Sequence, residues 1–331
     1  MFFMSSFPDM SAIREAQQLL AKYFPPTPLV RAPSLSRPAA DVYLKIETAL
    51  PTGSFKPRGA LYALIKNLEH RQIDEVTASS TGNHGAATAF AARTLGLPAT
   101  IFLPDPPNAV KRKKIEDLGG RVVCQGSNDL AAASQKAGEY SQRPGVYYLS
   151  DATARELPAG PATIGVEILD ECSDVAAVFV PMGDTALIRG VGAAIKQLSP
   201  QTRVIGVQAE RAPSYVLSWR AGKAIPTDTC DTCADGLATR TPDAGNVAAI
   251  RSLVDEVVLV SESQMIDAIR HLYYKENVLA EAAGAAATAA YLGSPIPGRI
   301  ALLVTGQNIS DEVRSMAGLP SSQEFPINNY R

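Results

Sequence analysis

The chain has 331 residues, of which 46% are hydrophobic and 19% are charged, so it can bury a large core as one large or two medium-sized domains. Lysine and arginine total 31 against 33 acidic residues, and this net charge of −2 gives no reason to expect a nucleic acid partner. The most apolar stretch, residues 282–292, is shorter than the roughly 20 residues that cross a bilayer, so we expect no membrane partner either.

Two features of the sequence indicate a cytoplasmic protein. Residues 1–12 contain no lysine or arginine, and Pro8 and Asp9 stand where a signal peptide needs an apolar run. Of the four cysteines, only Cys230 and Cys233 have a spacing that zinc sites and redox pairs use. The sequence has three histidines and no second Cys-x-x-Cys motif. We therefore interpret Cys230 and Cys233 as free thiols in a loop and not as a zinc site or a redox pair, and we predict no metal.

Apolar runs typical of strands alternate with helix-like stretches, and this order predicts βαβ units, parallel sheets and the α/β fold class. In the first half of the chain we predict strands at 42–46, 75–78, 99–103 and 121–124 and helices at 59–68, 85–95, 108–118 and 129–140. The basic run 111–114 falls on one of these helices beside two acidic residues, which favours a solvated face over a patch that binds polyanions.

A second series of elements follows the turn at Pro144 and Gly145. We predict strands at 146–149, 177–180, 203–207 and 300–304 and helices at 161–169 and 186–198. The last strand is fully apolar and needs sheet neighbours on both sides, so the two ends of the chain belong to one body. We therefore predict a large domain formed by residues 1–47 and 146–331 and a small domain formed by residues 48–145.

The segment from Lys45 to Ala60 runs from a strand through a glycine-containing turn into a helix that begins at Lys56. The positive end of the helix dipole and the nearby Arg58 disfavour the ammonium form of Lys56, and Phe55 limits its hydration. A neutral lysine amine can form a Schiff base with an aldehyde. Lysines at helix starts are also common on protein surfaces, so this segment alone does not decide the function.

Two further strand-to-helix turns are suited to anions. Residues 79–85, Ser-Ser-Thr-Gly-Asn-His-Gly, leave backbone N–H groups free for a carboxylate, although an ordinary capped helix start explains these residues equally well. Residues 180–190 form a turn whose amides suit a phosphate. This turn lacks both GxGxxG and the P-loop lysine, so the sequence gives little support for a nucleotide.

Six segments, taken in order, make the sequence resemble a known family. They are Gly53 to Ala60, Gly82 to Gly85, the loop from Gly183, Ala234 to Ala238, Glu281 to Ala285 and Thr305 to Asn308. Over roughly residues 26–308 the chain resembles the serine/threonine dehydratase and serine racemase group of pyridoxal-phosphate (PLP) enzymes of fold type II, the tryptophan synthase β-like fold. The resemblance implies two open, twisted, mostly parallel sheets flanked by helices, with PLP in the cleft between a large cofactor-binding domain and a small substrate-binding domain.

The resemblance also implies a role for each residue of its motifs. Lys56 would bond covalently to PLP and act as the catalytic base, with Phe55 packed near the PLP ring. PLP would also be held by Asn83 at its phenolic oxygen, by Thr305 at its pyridine nitrogen, and at its phosphate by Gly183, Asp184, Thr185 and Ala186. The substrate carboxylate would be bound by Ser80, Thr81, Gly82, Asn83 and His84. Racemases carry a catalytic serine hydroxyl at the position of Thr81, so a catalytic role for Thr81 stays open beside carboxylate binding.

Three positions need comment against the family pattern. The phosphate loop of the family is usually a run of glycines, and here Asp184 places a carboxylate beside the expected phosphate, so we expect Asp184 to point away or to be paired. Glu210 matches the first ligand of a divalent-cation site in serine racemases, but Val216 stands where the second carboxylate is expected. Glu281 opens a helix near the cofactor and is equally readable as a favourable first-turn acid.

We therefore predict a PLP-dependent lyase that dehydrates and deaminates a β-hydroxy amino acid such as threonine or serine to a 2-oxo acid and ammonia. The alternatives are an amino-acid racemase, a β-replacement synthase and, outside the enzymes, a binding regulator. The resemblance implies a homodimer. The chain ends soon after its last cofactor segment, so we expect no long regulatory domain like that of allosteric threonine deaminases.

Overall fold

The structure is a computed structural model that describes residues 7–80, 82–107, 109–124, 126 and 130–321. Its strands are β1 (Leu29–Arg31), β2 (Ala40–Ile46), β3 (Glu75–Ser79), β4 (Ala99–Leu103), β5 (Gly120–Cys124), β6 (Val146–Tyr148), β7 (Val175–Pro181), β8 (Arg203–Ala209), β9 (Glu256–Val260) and β10 (Gly298–Val304). Its α-helices are α1 (Met10–Leu20), α2 (Lys56–Leu68), α3 (Asn83–Thr94), α4 (Ala109–Asp117), α5 (Leu130–Tyr140), α6 (Ala159–Glu171), α7 (Ala186–Leu198), α8 (Ser214–Ala221), α9 (Ala244–Leu253), α10 (Glu262–Glu276), α11 (Ala282–Gly293) and α12 (Asp311–Met316). Two short 3-10 helices lie at Glu47–Ala49 and Asp235–Leu237.

These strands form two sheets. The larger sheet has the strand order β1-β2-β10-β7-β8-β9, and all its neighbouring strands are parallel except β1 and β2. The smaller sheet has the order β5-β4-β3-β6 and is parallel throughout. The prediction of an α/β fold with two mostly parallel sheets flanked by helices is confirmed.

The predicted elements lie at or within a few residues of their observed bounds. β4 and α7 have the predicted bounds, 99–103 and 186–198. One assignment is wrong, because β6, which we predicted in the second body, pairs with β3 in the smaller sheet. That pairing joins segments about 70 residues apart, which the local sequence pattern does not encode. The division of the chain into two domains stays a prediction.

Strand β7 shows why the central strands are apolar throughout. Its residues Ala177 and Phe179 point into a core shared with α10 and α11, while Val178 and Val180 point into a second core shared with α6, α7 and α9. Successive side chains of a strand point to opposite faces, so a sheet covered by helices on both faces needs apolar residues at every position. β10 is paired on both sides, by β2 and by β7, as its apolar sequence predicts.

A third core joins the smaller sheet to α2 and α3, with Leu61, Leu64, Ala87 and Ile101 among its buried residues. Helix α2 also packs against α6 of the larger body, so it lies between the two sheets. In the part of the chain that the structure describes, we find no helix with both the length and the apolar character needed to cross a membrane.

Candidate active site

The carboxyl ends of β3, β6, β7 and β10 face one cleft between the two sheets. About 880 Å³ of empty space, part of it open to solvent, lies between the walls of the cleft. The predicted site residues that line it are Phe55, Lys56, Ser80, Asn83, His84, Gly183, Asp184, Thr185, Ala186 and Thr305. Gly82 is not among the lining residues, and Thr81 lies outside the described residues.

Backbone contacts fix Lys56 next to the end of β10. The N–H of Phe55 donates a 3.0 Å hydrogen bond to the carbonyl oxygen of Thr305, and Ser54 forms a β-bridge with Gly306. Pro57 lies in the first turn of α2, where its missing N–H leaves no hydrogen bond unmade. The turn therefore brings the amine of Lys56 and the hydroxyl of Thr305 into the same cleft.

The amine of Lys56 contacts the carboxylate of Asp151, which follows β6. Oδ1 of Asp151 lies 3.6 Å from Nδ1 of His84, and a 2.8 Å hydrogen bond joins Nε2 of His84 to the carbonyl oxygen of Leu149. Burial acts to raise the pKa of Asp151, but the positive charges of Lys56, His84 and Arg189 outweigh it and hold that pKa below its usual value. Asp151 is therefore an ionised partner of Lys56.

Asp151 was not predicted as a site residue from the sequence. A signal was present, because Asp151 comes directly after a predicted parallel strand, and α/β proteins bind their ligands beyond the carboxyl ends of such strands. The pairing of β6 with β3 brings Asp151 beside the segment 79–85. Without that pairing, nothing in the sequence connects Asp151 with Lys56.

Arg58 is not part of the cleft. Its buried guanidinium donates hydrogen bonds of 2.8 and 3.0 Å to Glu47 and of 2.5 and 2.8 Å to Glu167. Lys45 also pairs with Glu167, at 2.7 Å. Two carboxylates balance the charge of Arg58, and the expected effect of Arg58 on the amine of Lys56 stays a prediction.

The loop from Gly183 leads into the N-terminus of α7. No side-chain hydrogen bond caps this 13-residue helix at Thr185, so its first backbone N–H groups and the positive end of its dipole are available to an anion. Thr185 has a φ of 70°, a strained conformation for a β-branched residue and one that is typical of ligand sites. A Cβ at Gly183 would lie 2.2 Å from the carbonyl oxygen of Gly236, so only glycine permits the close approach of the two loops.

Asp184 is paired, as the sequence led us to expect. The hydroxyl of Thr239 donates a 2.9 Å hydrogen bond to Oδ1 of Asp184. Burial and the nearby charge of Asp151 raise the pKa of Asp184, which favours its neutral, protonated form. A protonated carboxyl group can donate a hydrogen bond to a phosphate, and it does not repel one.

Asn83 is held by side chains on both sides. Its Nδ2 donates a 2.5 Å hydrogen bond to Glu281, and its Oδ1 accepts a 2.7 Å hydrogen bond from Asn308. Lys114 in turn donates a 2.6 Å hydrogen bond to Asn308. Burial raises the pKa of Glu281 more than the nearby Lys111 lowers it. Because an asparagine amide has two N–H groups, the second N–H of Asn83 remains for a ligand in the cleft.

The basic run 111–114 is solvated on one side only. Lys113 has a side chain that is 73% exposed, but Lys111 is 6% exposed and contacts Asp235 at the edge of the cleft. Lys111 also packs on Gly82, where a Cβ would lie 2.3 Å from Cδ of Lys111. The prediction of a solvated face is wrong for Lys111 and for Lys114, because this side of α4 lies against the larger body.

Comparison with known proteins identifies the family. The family model described as pyridoxal-phosphate dependent enzyme matches residues 20–306. L-threonine ammonia-lyase from Thermotoga maritima is 37% identical over 300 residues, which cover 90% of this chain and 75% of that protein. The catabolic L-threonine dehydratase TdcB of Staphylococcus aureus is 31% identical over 91% of this chain and 89% of its own length. The chain therefore belongs to the pyridoxal-phosphate dependent enzyme family.

Solved structures agree with this assignment. The threonine deaminase of T.th. superposes with a TM-score of 0.84 at 31% identity, covering 91% of this chain and 98% of its own. Maize serine racemase gives a TM-score of 0.85 at 27% identity, with 94% of this chain and 96% of its own covered. The predictions of fold type II, of PLP as the cofactor and of a lyase of the dehydratase group are confirmed.

The residues of the cleft fit PLP. Lys56 offers a primary amine for its aldehyde, Phe55 an apolar surface for its ring, and the uncapped start of α7 a set of N–H donors for its phosphate. Thr305, which directly follows β10, adds a hydroxyl group to the lining of the same cleft. The chemistry of this donor set therefore suits an aromatic aldehyde that carries a phosphate.

Proposed function

We propose that this enzyme eliminates water from threonine or a related β-hydroxy amino acid and releases a 2-oxo acid and ammonia. The observation that carries the proposal is the similarity, over about nine-tenths of the chain, to proteins named threonine ammonia-lyase or threonine dehydratase. The placement of Lys56 beside Asp151 in a cleft open to solvent supports it.

In this proposal Lys56 bonds to PLP and, once displaced by the substrate amine, removes the α-proton. Asn83 donates a hydrogen bond to the phenolic oxygen, and Phe55 packs near the ring. The residues Gly183, Asp184, Thr185 and Ala186 hold the phosphate. The substrate carboxylate is bound by Ser80, Thr81, Gly82, Asn83 and His84, and a catalytic role of the Thr81 hydroxyl at Cα belongs to the racemase alternative.

PLP, when bound, withdraws electrons from Cα and so makes the α-proton acidic. Thr305 sets how strongly PLP withdraws electrons from Cα. A hydroxyl group beside the pyridine nitrogen cannot keep a proton on that nitrogen as an aspartate would, because its own pKa is far above neutrality. Thr305 therefore favours early loss of a β-leaving group over reactions that need a long-lived carbanion.

The charges of the cleft favour a substrate with a neutral side chain. Three lining residues, Asp151, Asp184 and Glu281, are acidic, and none of the described lining residues is an arginine that would pair with a second substrate carboxylate. Threonine and serine meet this condition, whereas 3-hydroxyaspartate would bring a second negative charge.

The test is a 2-oxo acid assay of the PLP-loaded enzyme over a panel of β-hydroxy amino acids. We expect turnover of threonine or serine, and no turnover by Lys56→Ala. Chiral analysis of recovered substrate tests the racemase alternative, which the fold of maize serine racemase supports. Added sulfide or thiol tests a β-replacement synthase. A loaded enzyme that forms no 2-oxo acid from any member of the panel would contradict the proposal.

Homodimerisation and a cytoplasmic location are further parts of the proposal, and the resemblance to PLP enzymes of this group supports both. Light scattering of the loaded enzyme gives its mass in solution, and we expect twice the mass of one chain. Fractionation of the source cells gives the location, and we expect the enzyme in the soluble cytoplasmic fraction.

A further inference from the structure

We propose that Asp151 is the catalytic acid that protonates the leaving β-hydroxyl, and that His84 positions it. This inference rests on the proposed β-elimination and names a residue for one of its steps. It is carried by the contact of Asp151 with Lys56, by its place on the cleft wall and by the geometry of the facing histidine.

Asp151 is within reach of the leaving group because it touches the base. Lys56 must approach Cα to remove the α-proton, and the β-oxygen is bonded to the carbon next to Cα. An acid in contact with the Lys56 amine therefore lies within a few ångströms of the β-oxygen, which is the distance that proton transfer requires.

The ring of His84 has a defined orientation and tautomer. The carbonyl oxygen of Leu149 can only accept, so Nε2 of His84 carries a proton, and Nδ1 is the ring nitrogen that faces Asp151. This Nδ1 faces Oδ1 of Asp151 at 3.6 Å, and neither atom has a hydrogen-bond partner among the described residues. One proton between these two buried atoms would give both of them a hydrogen-bond partner, so His84 and Asp151 can share a proton.

The charges around Asp151 link its acidity to the state of Lys56. The groups that act on it are Lys56 from α2, His84 from α3, Arg189 from α7 and Asp184 from the loop before α7. Burial favours the protonated carboxyl group, whereas a positive charge on Lys56 favours the carboxylate. When Lys56 gains the α-proton, its new charge makes Asp151 more acidic at the point when the β-oxygen needs a proton.

The step balances in protons and electrons. The bond between Cα and hydrogen breaks, the proton goes to Nζ of Lys56, and the electron pair left on Cα forms a double bond to Cβ. The bond between Cβ and oxygen breaks with its electron pair on oxygen, which takes the proton of Asp151 and leaves as water. The products at the protein are an ammonium group at Lys56 and a carboxylate at Asp151, the ion pair seen in the structure. Return of the proton from Lys56 to Asp151 restores the site.

The test compares leaving groups in the PLP-loaded enzyme. Chloride leaves without a proton, so β-chloro-L-alanine bypasses an acid that L-serine and L-threonine need. We expect Asp151→Asn to lower kcat at least about 100-fold with the hydroxy amino acids and less than about threefold with β-chloro-L-alanine. His84→Asn should show a smaller loss with the same selectivity. Asp267→Asn, whose side chain is 68% exposed on α10, is the matched control.

The pH profile gives a second measurement. In the unsubstituted enzyme the rate with L-serine should fall as the pH rises and Asp151 loses its proton in the substrate complex, while the rate with β-chloro-L-alanine should not show this fall. His84→Asn should shift this fall, which a merely structural role would not do. Equal losses with both kinds of substrate in Asp151→Asn, or no loss with either, would overturn the inference.

The outcomes also separate this inference from the proposed function. If Asp151→Asn fails to fold or to load PLP, His84→Asn tests the inference instead. The quantity compared is then the ratio of its rate with L-serine to its rate with β-chloro-L-alanine. An unsubstituted enzyme that acts on β-chloro-L-alanine and on no β-hydroxy amino acid would contradict the proposed function. A normal enzyme whose Asp151→Asn variant shows no leaving-group selectivity would contradict only the role of Asp151.

Discussion

Arg58 and Glu167, which are 109 positions apart in the chain, form a buried bidentate ion pair with distances of 2.5 and 2.8 Å. Glu47 accepts two further hydrogen bonds from Arg58, and Lys45 completes the cluster. The pair joins the first turn of α2, which carries Lys56, to α6. It therefore holds the helix start that places the amine of Lys56.

Replacing Arg58 with leucine should destabilise the fold. The change would leave Glu47 and Glu167 buried with only Lys45 as a cation in the cluster. Loss of one partner of such a buried pair lowers the free energy of unfolding by about 3–5 kcal/mol, measured by urea denaturation. Arg112→Ala removes a pair with Glu116 that is about half exposed, and it should cost about 0.5 kcal/mol or less. Similar losses for the two variants would contradict this account.

The same cluster predicts sensitivity to acid. Burial acts to raise the pKa of Glu167, but Arg58 and Lys45 outweigh it and hold the pKa below its usual value of 4.5. A carboxylate with a lowered pKa in the folded state stabilises the fold above its unfolded pKa, and this contribution is lost as the pH falls through the folded pKa. The free energy of unfolding should therefore decrease below about pH 4.5. Glu167→Gln should be less stable at neutral pH and should lose part of this acid slope.

The raised pKa of Asp184 predicts a pH effect on cofactor affinity. The protonated form donates a hydrogen bond, whereas the carboxylate that forms as the pH rises repels the phosphate dianion. The affinity of the apoenzyme for PLP should thus fall with rising pH relative to Asp184→Asn, whose amide stays neutral and can still accept from Thr239. Spectral titration with PLP, at pH values from the ordinary carboxyl pKa of 3.8 upward, measures the ratio of the affinities of the two proteins. A ratio that stays constant over this range would contradict the prediction.

Lys111 and Lys113 lie two positions apart on α4 and provide a matched pair of substitutions. Lys111 is buried and contacts Asp235, the first residue of the 3-10 helix that lines the cleft. Lys113 is exposed and pairs with Asp117. Lys111→Met should leave Asp235 without this cation and loosen the cleft wall, so we expect KM to rise about tenfold or more, equivalent to about 1.4 kcal/mol. Lys113→Met should leave KM within about twofold. Equal effects on KM would show that α4 is not part of the wall.

The elements of the fold were predictable wherever one segment carries its own signal. β4 and α7 have the predicted bounds because an apolar run or a glycine-punctuated helix is encoded within a few neighbouring residues. β9 and α10 also carry such signals, the apolar run at 257–260 and the capping box of Ser261 and Gln264, but they were not predicted. β6 was assigned to the wrong sheet because its place depends on a partner strand and not on its own three residues.

The candidate site was predictable to the extent that it lies in strand-to-helix turns. The turns that carry Lys56, Asn83 and Gly183 all open on the cleft, as their sequences indicate. The side chains that act on these turns come from elsewhere, and Asp151 and Lys111 were missed or misjudged for that reason. In the sequence alone, a charged residue that is buried and paired with a distant partner looks the same as a charged residue exposed to solvent.

The most direct test of the account is to locate the covalent bond to PLP. Reduction of the loaded enzyme with borohydride followed by mass mapping of its peptides shows which lysine carries the cofactor. The account predicts the label on Lys56, with no label on this peptide in Lys56→Ala. A label on any other lysine of the fully loaded enzyme would contradict it.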